Sequence, residues 1–131
     1  MLLPFLGEGN ILDIGTGNGG LEKVLLEEGL QIQGLDISNN SLFSEVSPAV
    51  YDGHTFPFED NSFQDSMLIT VLHHTPCPGK ILREAVRCSG RIIIVEDIYR
   101  TTLQKYLTYF TDSLVNWEWK GHPHTNKTDR Q

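Results

Sequence analysis

The sequence predicts an α/β protein with a doubly wound, mostly parallel sheet. Short apolar runs with strand composition alternate with segments of helical period, which is the pattern of strand-helix-strand crossovers. A glycine-rich turn directly after the first strand is the second observation, because ligands of such sheets bind beyond the carboxyl ends of the strands. The length of 131 residues suits one core. We therefore expect a single domain over residues 1–131, with its core at about 10–117 and a polar tail at about 120–131.

Five segments have the composition of strands. The predicted strands cover residues 10–14, 32–37, 49–51, 64–72 and 91–98. The strongest strand pattern is the β-branched run from Ile92 to Val95. Continuous apolar runs of this kind are typical of parallel strands that are covered on both faces.

Apolar residues at helical spacing separate the strands. One stripe covers Leu21–Glu28, and a second covers Ile81–Val86 and ends at Ser89-Gly90. The spacing of apolar residues over Leu103–Trp117 predicts a long amphipathic helix near the end of the chain. Between strands two and three, Ser38–Val46 has room for a short helix only.

Composition excludes several classes of protein. The net charge is -7, from 10 Lys and Arg against 17 Asp and Glu, and no basic cluster is present, which argues against a nucleic-acid partner. No apolar run is longer than Met67–Leu72, which is far shorter than the roughly 20 residues of a membrane span. The first residues lack the basic flank of a secretion signal, and the two cysteines have no paired spacing, so we expect a cytoplasmic protein. The histidines His54, His122 and His124 lack partners at a ligand spacing, so no metal site is predicted.

The glycine-rich turn reads Gly-Thr-Gly-Asn-Gly-Gly over residues 15–20. Glycines permit positive φ and a close approach of ligand to backbone, and the N–H groups at the start of the next helix favour an anionic group. The turn also matches GxGxxG with Asp36 about 20 residues on, so a nicotinamide-dependent oxidoreductase is an alternative. Asp13 argues against it, because a carboxylate there would repel a pyrophosphate and attract an ammonium group.

The segment Ile11-Leu12-Asp13-Ile14-Gly15-Thr16-Gly17-Asn18-Gly19 resembles the first motif of the class I S-adenosylmethionine-dependent methyltransferases. Later segments resemble their further motifs in the same order, and the similarity covers about residues 10–100. These segments are Gly34–Ser38, Asp52–Phe63, Met67–Pro76 and Ile81–Asp97. The resemblance is to the small-molecule branch, and it implies the strand order 3-2-1-4-5 and S-adenosylmethionine as cofactor.

The resemblance also implies a set of cofactor-binding residues. In the family, the acid after the second strand holds the ribose hydroxyls and the next apolar side chain packs on adenine, which gives these roles to Asp36 and Ile37. The acid of the third segment, Asp52, takes the adenine amino group, and the backbone after it reaches the ring. The whole implied set is Asp13, Gly15, Gly17, Asn18, Gly19, Asp36, Ile37, Asp52, Gly53 and Thr70.

Two histidines follow the fourth strand, beside the methyl position that the resemblance implies. His73 and His74 are the candidates to orient the methyl acceptor or to remove its proton, because an imidazole with a pKa near 6.5 acts as a base at neutral pH. The alternative is that either histidine only bonds a loop carbonyl.

The predicted function is therefore S-adenosylmethionine-dependent methyl transfer to a small-molecule acceptor. The alternative is a cofactor-binding or interaction module without turnover, because no strand-like run follows Trp119 to form the family's sixth and seventh strands, and no helical cap precedes the first strand. The missing strands leave Ile92–Val95 as an outer strand. Because such an edge favours pairing, we expect a homodimer through this strand and the Leu103–Trp117 helix.

Overall fold

The computed structural model describes residues 3–96 of the chain, which form a five-stranded parallel sheet of order β3-β2-β1-β4-β5. The strands are β1 (Ile11–Ile14), β2 (Ile32–Asp36), β3 (Ala49–Val50), β4 (Phe63–Ile69) and β5 (Ser89–Val95). The helices are α1 (Gly20–Glu27) and α2 (Pro78–Cys88), with short 3-10 turns at Leu3–Phe5 and Leu72–His74. The predicted α/β class and strand order are confirmed.

The core lies on both faces of the sheet, because successive strand residues point to opposite sides. On one face, Leu12 and Leu68 are fully buried with Ile81 of α2. On the other face, Ile11 and Met67 are fully buried with Leu25 of α1. Each helix therefore covers one face of the three central strands. Because both faces of these strands are covered, their sequences are apolar runs.

The strand order places a crevice beside β1. The chain builds outward from β1 to β2 and β3, and then returns to β4 on the other side of β1. In the register of the sheet, Ile14 is paired with both Leu35 and Leu68. The residues that follow these three strands therefore lie at one edge, at the point where the connections diverge and where open α/β sheets bind ligands.

The fourth strand is shorter than predicted. It ends at Ile69 instead of Leu72, because Thr70 takes a left-handed conformation with φ 56° and the chain turns into the 3-10 segment. The Thr70 N–H donates to the carbonyl of Val95 at 2.7 Å, which closes the ladder with β5.

Two further predicted boundaries are wrong. Ser38–Val46 forms turns instead of a short helix, because side chains bond the local backbone: Ser41 N–H donates to Asn39 Oδ1 at 3.1 Å. The second helix ends before Ser89-Gly90 as predicted, but β5 begins at Ser89 directly after α2 and not at residue 91, and the Ser89 hydroxyl contacts that of Ser66 in the core.

Several predictions lie outside the described residues. These are the helix Leu103–Trp117, the polar tail, and the histidines His122 and His124. Strand β5 is an outer strand of the sheet that residues 3–96 form, and the homodimer through this edge stays a prediction. Over the same residues, neither helix combines the length and the apolar character that crossing a membrane requires.

Candidate functional site

Two adjoining cavities open at the carboxyl edge of the sheet. The larger cavity, of about 330 Å³, is lined by Gly15, Gly17, Asp36, Ile37, Tyr51, Ile69, Thr70, Val71, His74 and Thr75. The smaller cavity, of about 280 Å³, is lined by Asp13, Gly15, Thr16, Gly17, Asn18, Leu21, Ile69 and Thr70. The two share Gly15, Gly17, Ile69 and Thr70, so they form one groove across the carboxyl ends of β1 and β4. We call this the groove.

The glycine turn requires glycine at three positions, for reasons of backbone conformation or of space. Gly15, Gly17 and Gly19 have φ of 82°, 58° and 78°. A Cβ at Gly15 would lie 2.5 Å from a methyl group of Val71, and one at Gly19 would lie 2.7 Å from the Ser41 hydroxyl. A Cβ at Gly17 would meet only the Gly15 carbonyl oxygen, at 4.0 Å. Glycine at 17 is therefore required by backbone conformation, and the space beside it is left open toward the groove.

Asp36 ends β2 at the wall of the larger cavity. Its Oδ2 accepts the Gly17 N–H at 2.8 Å, and its Oδ1 accepts the Ile37 N–H at 2.7 Å. An ionised carboxylate offers about four lone-pair sites. Two strong bonds orient the group and leave acceptor capacity for hydroxyl donors of a ligand in the cavity.

The lining of the larger cavity includes an aromatic residue that the sequence did not predict. Tyr51 is half-buried and packs edge-on against Phe56, with ring centroids 5.2 Å apart. Burial raises the pKa of Tyr51, as do the charges of Asp36 and Asp52, so its hydroxyl stays protonated at neutral pH. Ile37 lines the same cavity and is 65% exposed. Tyr51 directly follows β3, so its place at the end of a strand was the available sequence signal.

Asp13 is an almost completely buried acid at the smaller cavity, with 3% exposure. Burial raises its pKa to about 7, and the negative charges of Glu22 and Asp36 add to the effect. Within the part of the chain that the structure describes, no Lys or Arg side chain pairs with it. When ionised, Asp13 therefore gives the groove a negative charge that a cationic ligand would neutralise.

Glu22 is a second buried acid that the sequence did not predict. It lies on the first turn of α1 with 4% exposure, and its Oε2 has no hydrogen-bond partner among residues 3–96. A Cβ at Gly34 would lie 2.3 Å from this oxygen, so β2 admits the carboxyl group only because position 34 is glycine. Burial raises the pKa of Glu22, and the backbone of Gly34 opposes that rise. The region behind the glycine turn therefore holds two buried acids, which make it negative when they are ionised.

Three members of the predicted cofactor set do not line either cavity. Gly19 is buried as the N-cap of α1. Asp52 is exposed, and its Oδ1 accepts the N–H groups of His54 at 2.8 Å and Thr55 at 2.9 Å, which lower its pKa. Gly53, with φ 78°, turns the chain beside it. The adenine-binding roles of Asp52 and Gly53 stay predictions, while the other seven members of the set line the groove.

The two candidate catalytic histidines have different surroundings. His74 lines the larger cavity. His73 is buried, with 2% exposure, and its Nδ1 lies 2.7 Å from the Glu96 carboxylate. Thr70, which precedes them and lines both cavities, holds a left-handed conformation that a β-branched residue rarely adopts. Strain of this kind is concentrated at functional sites. No metal-binding group of three or more His, Cys, Asp or Glu side chains occurs among the residues that the structure describes.

Comparison with protein families assigns the chain to a known class. Residues 12–94 match the family described as methyltransferase domain. The chain belongs to this methyltransferase family. The match runs from β1 to β5 and includes the glycine turn, Asp36 and His74. The resemblance to class I S-adenosylmethionine-dependent methyltransferases is confirmed. No curated protein sequence is significantly similar to the chain.

Solved structures share the fold of this methyltransferase domain. A SAM-dependent methyltransferase from Methanosarcina mazei is 20% identical with a TM-score of 0.73, over 98% of this chain and 78% of that one. A SAM-dependent methyltransferase from Thermotoga maritima, described as a possible histamine N-methyltransferase, is 18% identical with a TM-score of 0.72, over 98% of this chain and 62% of that one. The [4+2]-cyclase SpnF is 22% identical with a TM-score of 0.61, over 73% of this chain and 41% of that one.

Proposed function

We propose that the chain binds S-adenosylmethionine in the groove and transfers its methyl group to a small-molecule acceptor. The observation that carries the proposal is the pair of acids at the two ends of the groove. Asp36 presents acceptor oxygens to the larger cavity, and Asp13 places an uncompensated carboxyl group at the smaller one. A ligand with a diol at one end and a cation at the other is complementary to both.

Each part of the cofactor is complementary to one part of the groove. The side chains of Ile37 and Tyr51 offer apolar surface to adenine, and Asp36 offers oxygens to the ribose hydroxyls. The smaller cavity, with Asp13 and the buried Glu22 behind it, favours the ammonium group of the methionine portion. The open backbone at Gly17 lets the ligand approach the turn that joins the two cavities.

Methyl transfer requires little from the protein beyond positioning. When bound, S-adenosylmethionine supplies an electrophilic methyl group on a positively charged sulfur. Holding the donor and acceptor in reactive geometry contributes about 7–11 kcal/mol at best. His74 lies on the wall of the larger cavity, and its proposed role is to orient an acceptor or to accept its proton.

Two observations support a small-molecule acceptor. The net charge of -7 is unfavourable for nucleic acid, which repels negative surfaces. The Thermotoga maritima neighbour is described as a possible histamine N-methyltransferase, and histamine is a small amine. On the precedent of this neighbour, we expect amines to be the preferred class.

The test measures binding and transfer on the same purified chain. Titration calorimetry with S-adenosylmethionine and S-adenosylhomocysteine should show one site, and labelled S-adenosylmethionine should pass its methyl group to a member of a panel of small amines. Absence of binding of both ligands to folded protein would reject the proposal. Binding without transfer to any acceptor would instead support the module without turnover.

A matched pair of glycine variants distinguishes the groove from general destabilisation. Gly17 and Gly29 both have positive φ, 58° and 82°, and open space where a side chain would extend. Gly29 lies at the end of α1 and lines neither cavity. Gly17→Val should abolish ligand binding, because its side chain would occupy the groove, whereas Gly29→Val should also strain the backbone but leave the affinity unchanged.

A further inference from the structure

The carboxylate of Glu96 bonds three consecutive residues of the turn after β4. Its Oε1 accepts the N–H groups of Val71 at 2.8 Å and Leu72 at 2.6 Å. Its Oε2 lies 2.7 Å from Nδ1 of His73. Glu96 directly follows β5, so one side chain connects the end of the fifth strand to the segment that follows the fourth.

This turn needs an acceptor from elsewhere in the chain. The first N–H groups of a 3-10 segment have no partner within it, and Val71, its N-cap residue, provides no side-chain bond. The left-handed Thr70 has already ended the β4 ladder. Glu96 is therefore the side chain that satisfies the start of the turn.

The protonation states follow from this geometry. Burial acts to raise the pKa of Glu96, but the bonds from His73, Leu72 and Val71 outweigh burial and hold the pKa below its ordinary value. Glu96 is then ionised at neutral pH, and an ionised carboxylate only accepts hydrogen bonds. Nδ1 of His73 must therefore carry a proton, which fixes the orientation of its ring.

The buried His73 ring in turn contacts the ring of His74. The two ring centroids are 4.0 Å apart, with the planes inclined by 44°. His74 and Val71 both line the larger cavity, whereas His73 and Glu96 do not. A continuous set of contacts thus runs from Glu96 through His73 to the wall of the groove.

We propose that Glu96 is a positioning residue that holds the turn after β4 and keeps His73 in its Nδ1-protonated form, so that the His74 ring is set against the groove. Glu96 lies beyond the family match, which ends at residue 94. The role toward the methyl acceptor rests on the proposed function. The arrangement of Glu96, His73 and His74 is a property of the chain without any ligand.

The experiment compares Glu96→Gln with Glu59→Gln in the full chain by nitrogen-15 NMR of the imidazole rings. Glutamine keeps the shape and an oxygen for the two backbone donors, but it turns an N–H donor toward Nδ1 of His73. Glu59 is exposed, so its variant makes the same chemical change without these contacts. The ring signals are assigned through single His→Gln variants.

In the unchanged chain, we expect the Nδ1 signal of His73 at the position of a protonated nitrogen at neutral pH. In Glu96→Gln, this signal should move to that of an unprotonated nitrogen, and the His74 ring signals should move with it. Exchange of the Val71 and Leu72 amide hydrogens should become about tenfold faster, because a neutral acceptor forms a weaker hydrogen bond than a charged one. Glu59→Gln should change none of these.

Three results would overturn the proposal. One is an unprotonated Nδ1 in the unchanged chain, which needs no variant and so does not depend on Glu96→Gln folding. Another is an unaltered His73 tautomer in a folded Glu96→Gln. The third is a changed His73 with unmoved His74 signals, which would limit Glu96 to the backbone turn. Failure of S-adenosylhomocysteine to bind would reject the proposed function, while these ligand-free spectra would still decide the role of Glu96.

Discussion

Asp13 and Asp65 are buried aspartates on neighbouring strands, with exposures of 3% and 0%. They lie two register positions apart, since Ile11 is paired with Asp65 and Asp13 with Met67. Asp65 accepts hydrogen bonds from Nε and Nη2 of Arg91, at 2.7 and 2.8 Å, and from the N–H group of Gly7, at 2.7 Å. The bond from Arg91 is the main reason that the pKa of Asp65 is lowered, whereas burial raises that of Asp13 to about 7.

The difference shows that burial alone does not give an acid its role. At the amino end of the sheet, Asp65 has a cation and a backbone donor, so its charge joins β4 to β5 and to the N-terminal segment. At the carboxyl end, Asp13 faces a cavity and further acids. An uncompensated buried charge opposes folding and favours a cationic ligand. The amino edge of the sheet is therefore structural, and the carboxyl edge is the one that we propose binds the ligand.

The largest expected effect is on stability in Asp13→Asn. The native pKa of Asp13 is raised from 3.8 to about 7, so the unfolded chain releases this proton at lower pH than the native state. The native state therefore loses stability as pH rises between these two values. The variant lacks this loss, and above pH 7 its free energy of unfolding should exceed that of the unchanged chain by about 2–4 kcal/mol. Urea unfolding at pH 5, 6, 7 and 8 measures it, and a difference that does not grow with pH would contradict the account.

The opposite effect is expected in Asp65→Asn. The lowered native pKa means that Asp65 contributes stability above its ordinary pKa and loses that contribution as pH falls through its native value. At pH 7 the variant should lose about 2–3 kcal/mol of unfolding free energy, because Arg91 loses its charged partner. Urea unfolding at pH 7 tests this, and an unchanged midpoint would show that the pair is not structural.

Asp36→Asn should act more on binding than on stability, although it replaces one of the two oxygens that accept the Gly17 and Ile37 N–H groups. Its carboxylate is expected to bind ribose hydroxyls, and loss of charged hydrogen bonds costs about 1.5–3 kcal/mol, or about 10- to 150-fold in the dissociation constant. The control is Asp60→Asn, an exposed acid that lines neither cavity. Calorimetry with S-adenosylhomocysteine should separate the two variants, and equal affinities would remove the ribose role.

The smallest expected effect is in Thr70→Gly. Glycine adopts the left-handed φ of 56° without the strain that threonine has there. The relief of this strain should exceed the additional conformational entropy that glycine loses on folding. We therefore expect the free energy of unfolding to increase by about 0.5–1 kcal/mol. Asn61→Gly is the comparison, since asparagine tolerates its φ of 55° better. Thermal unfolding of both should show the larger increase for Thr70→Gly, and a loss of stability there would show that the threonine side chain matters more than the strain.

The parts predicted from sequence are those encoded by local pattern. The run Ile92–Val95 predicted a strand because its β-branched residues are consecutive, and the motif at residues 11–19 predicted the turn that joins the two cavities. Burial of Glu22 was not predictable, because it depends on Gly34 of another strand. The turn after β4 likewise depends on Glu96, whose carboxylate accepts the Val71 and Leu72 N–H groups from far along the chain.

Variants of Asp13 and Asp65 also provide the most direct test of the proposal that the carboxyl edge binds S-adenosylmethionine. Calorimetric titration with this cofactor at pH 8 should show binding to the unchanged chain and to Asp65→Asn with similar affinity, under conditions where both are folded. Asp13→Asn, although more stable, should bind at least about tenfold more weakly, because it lacks the charge that attracts the cationic portion. Undiminished binding to Asp13→Asn, or no binding to the unchanged chain, would contradict the account.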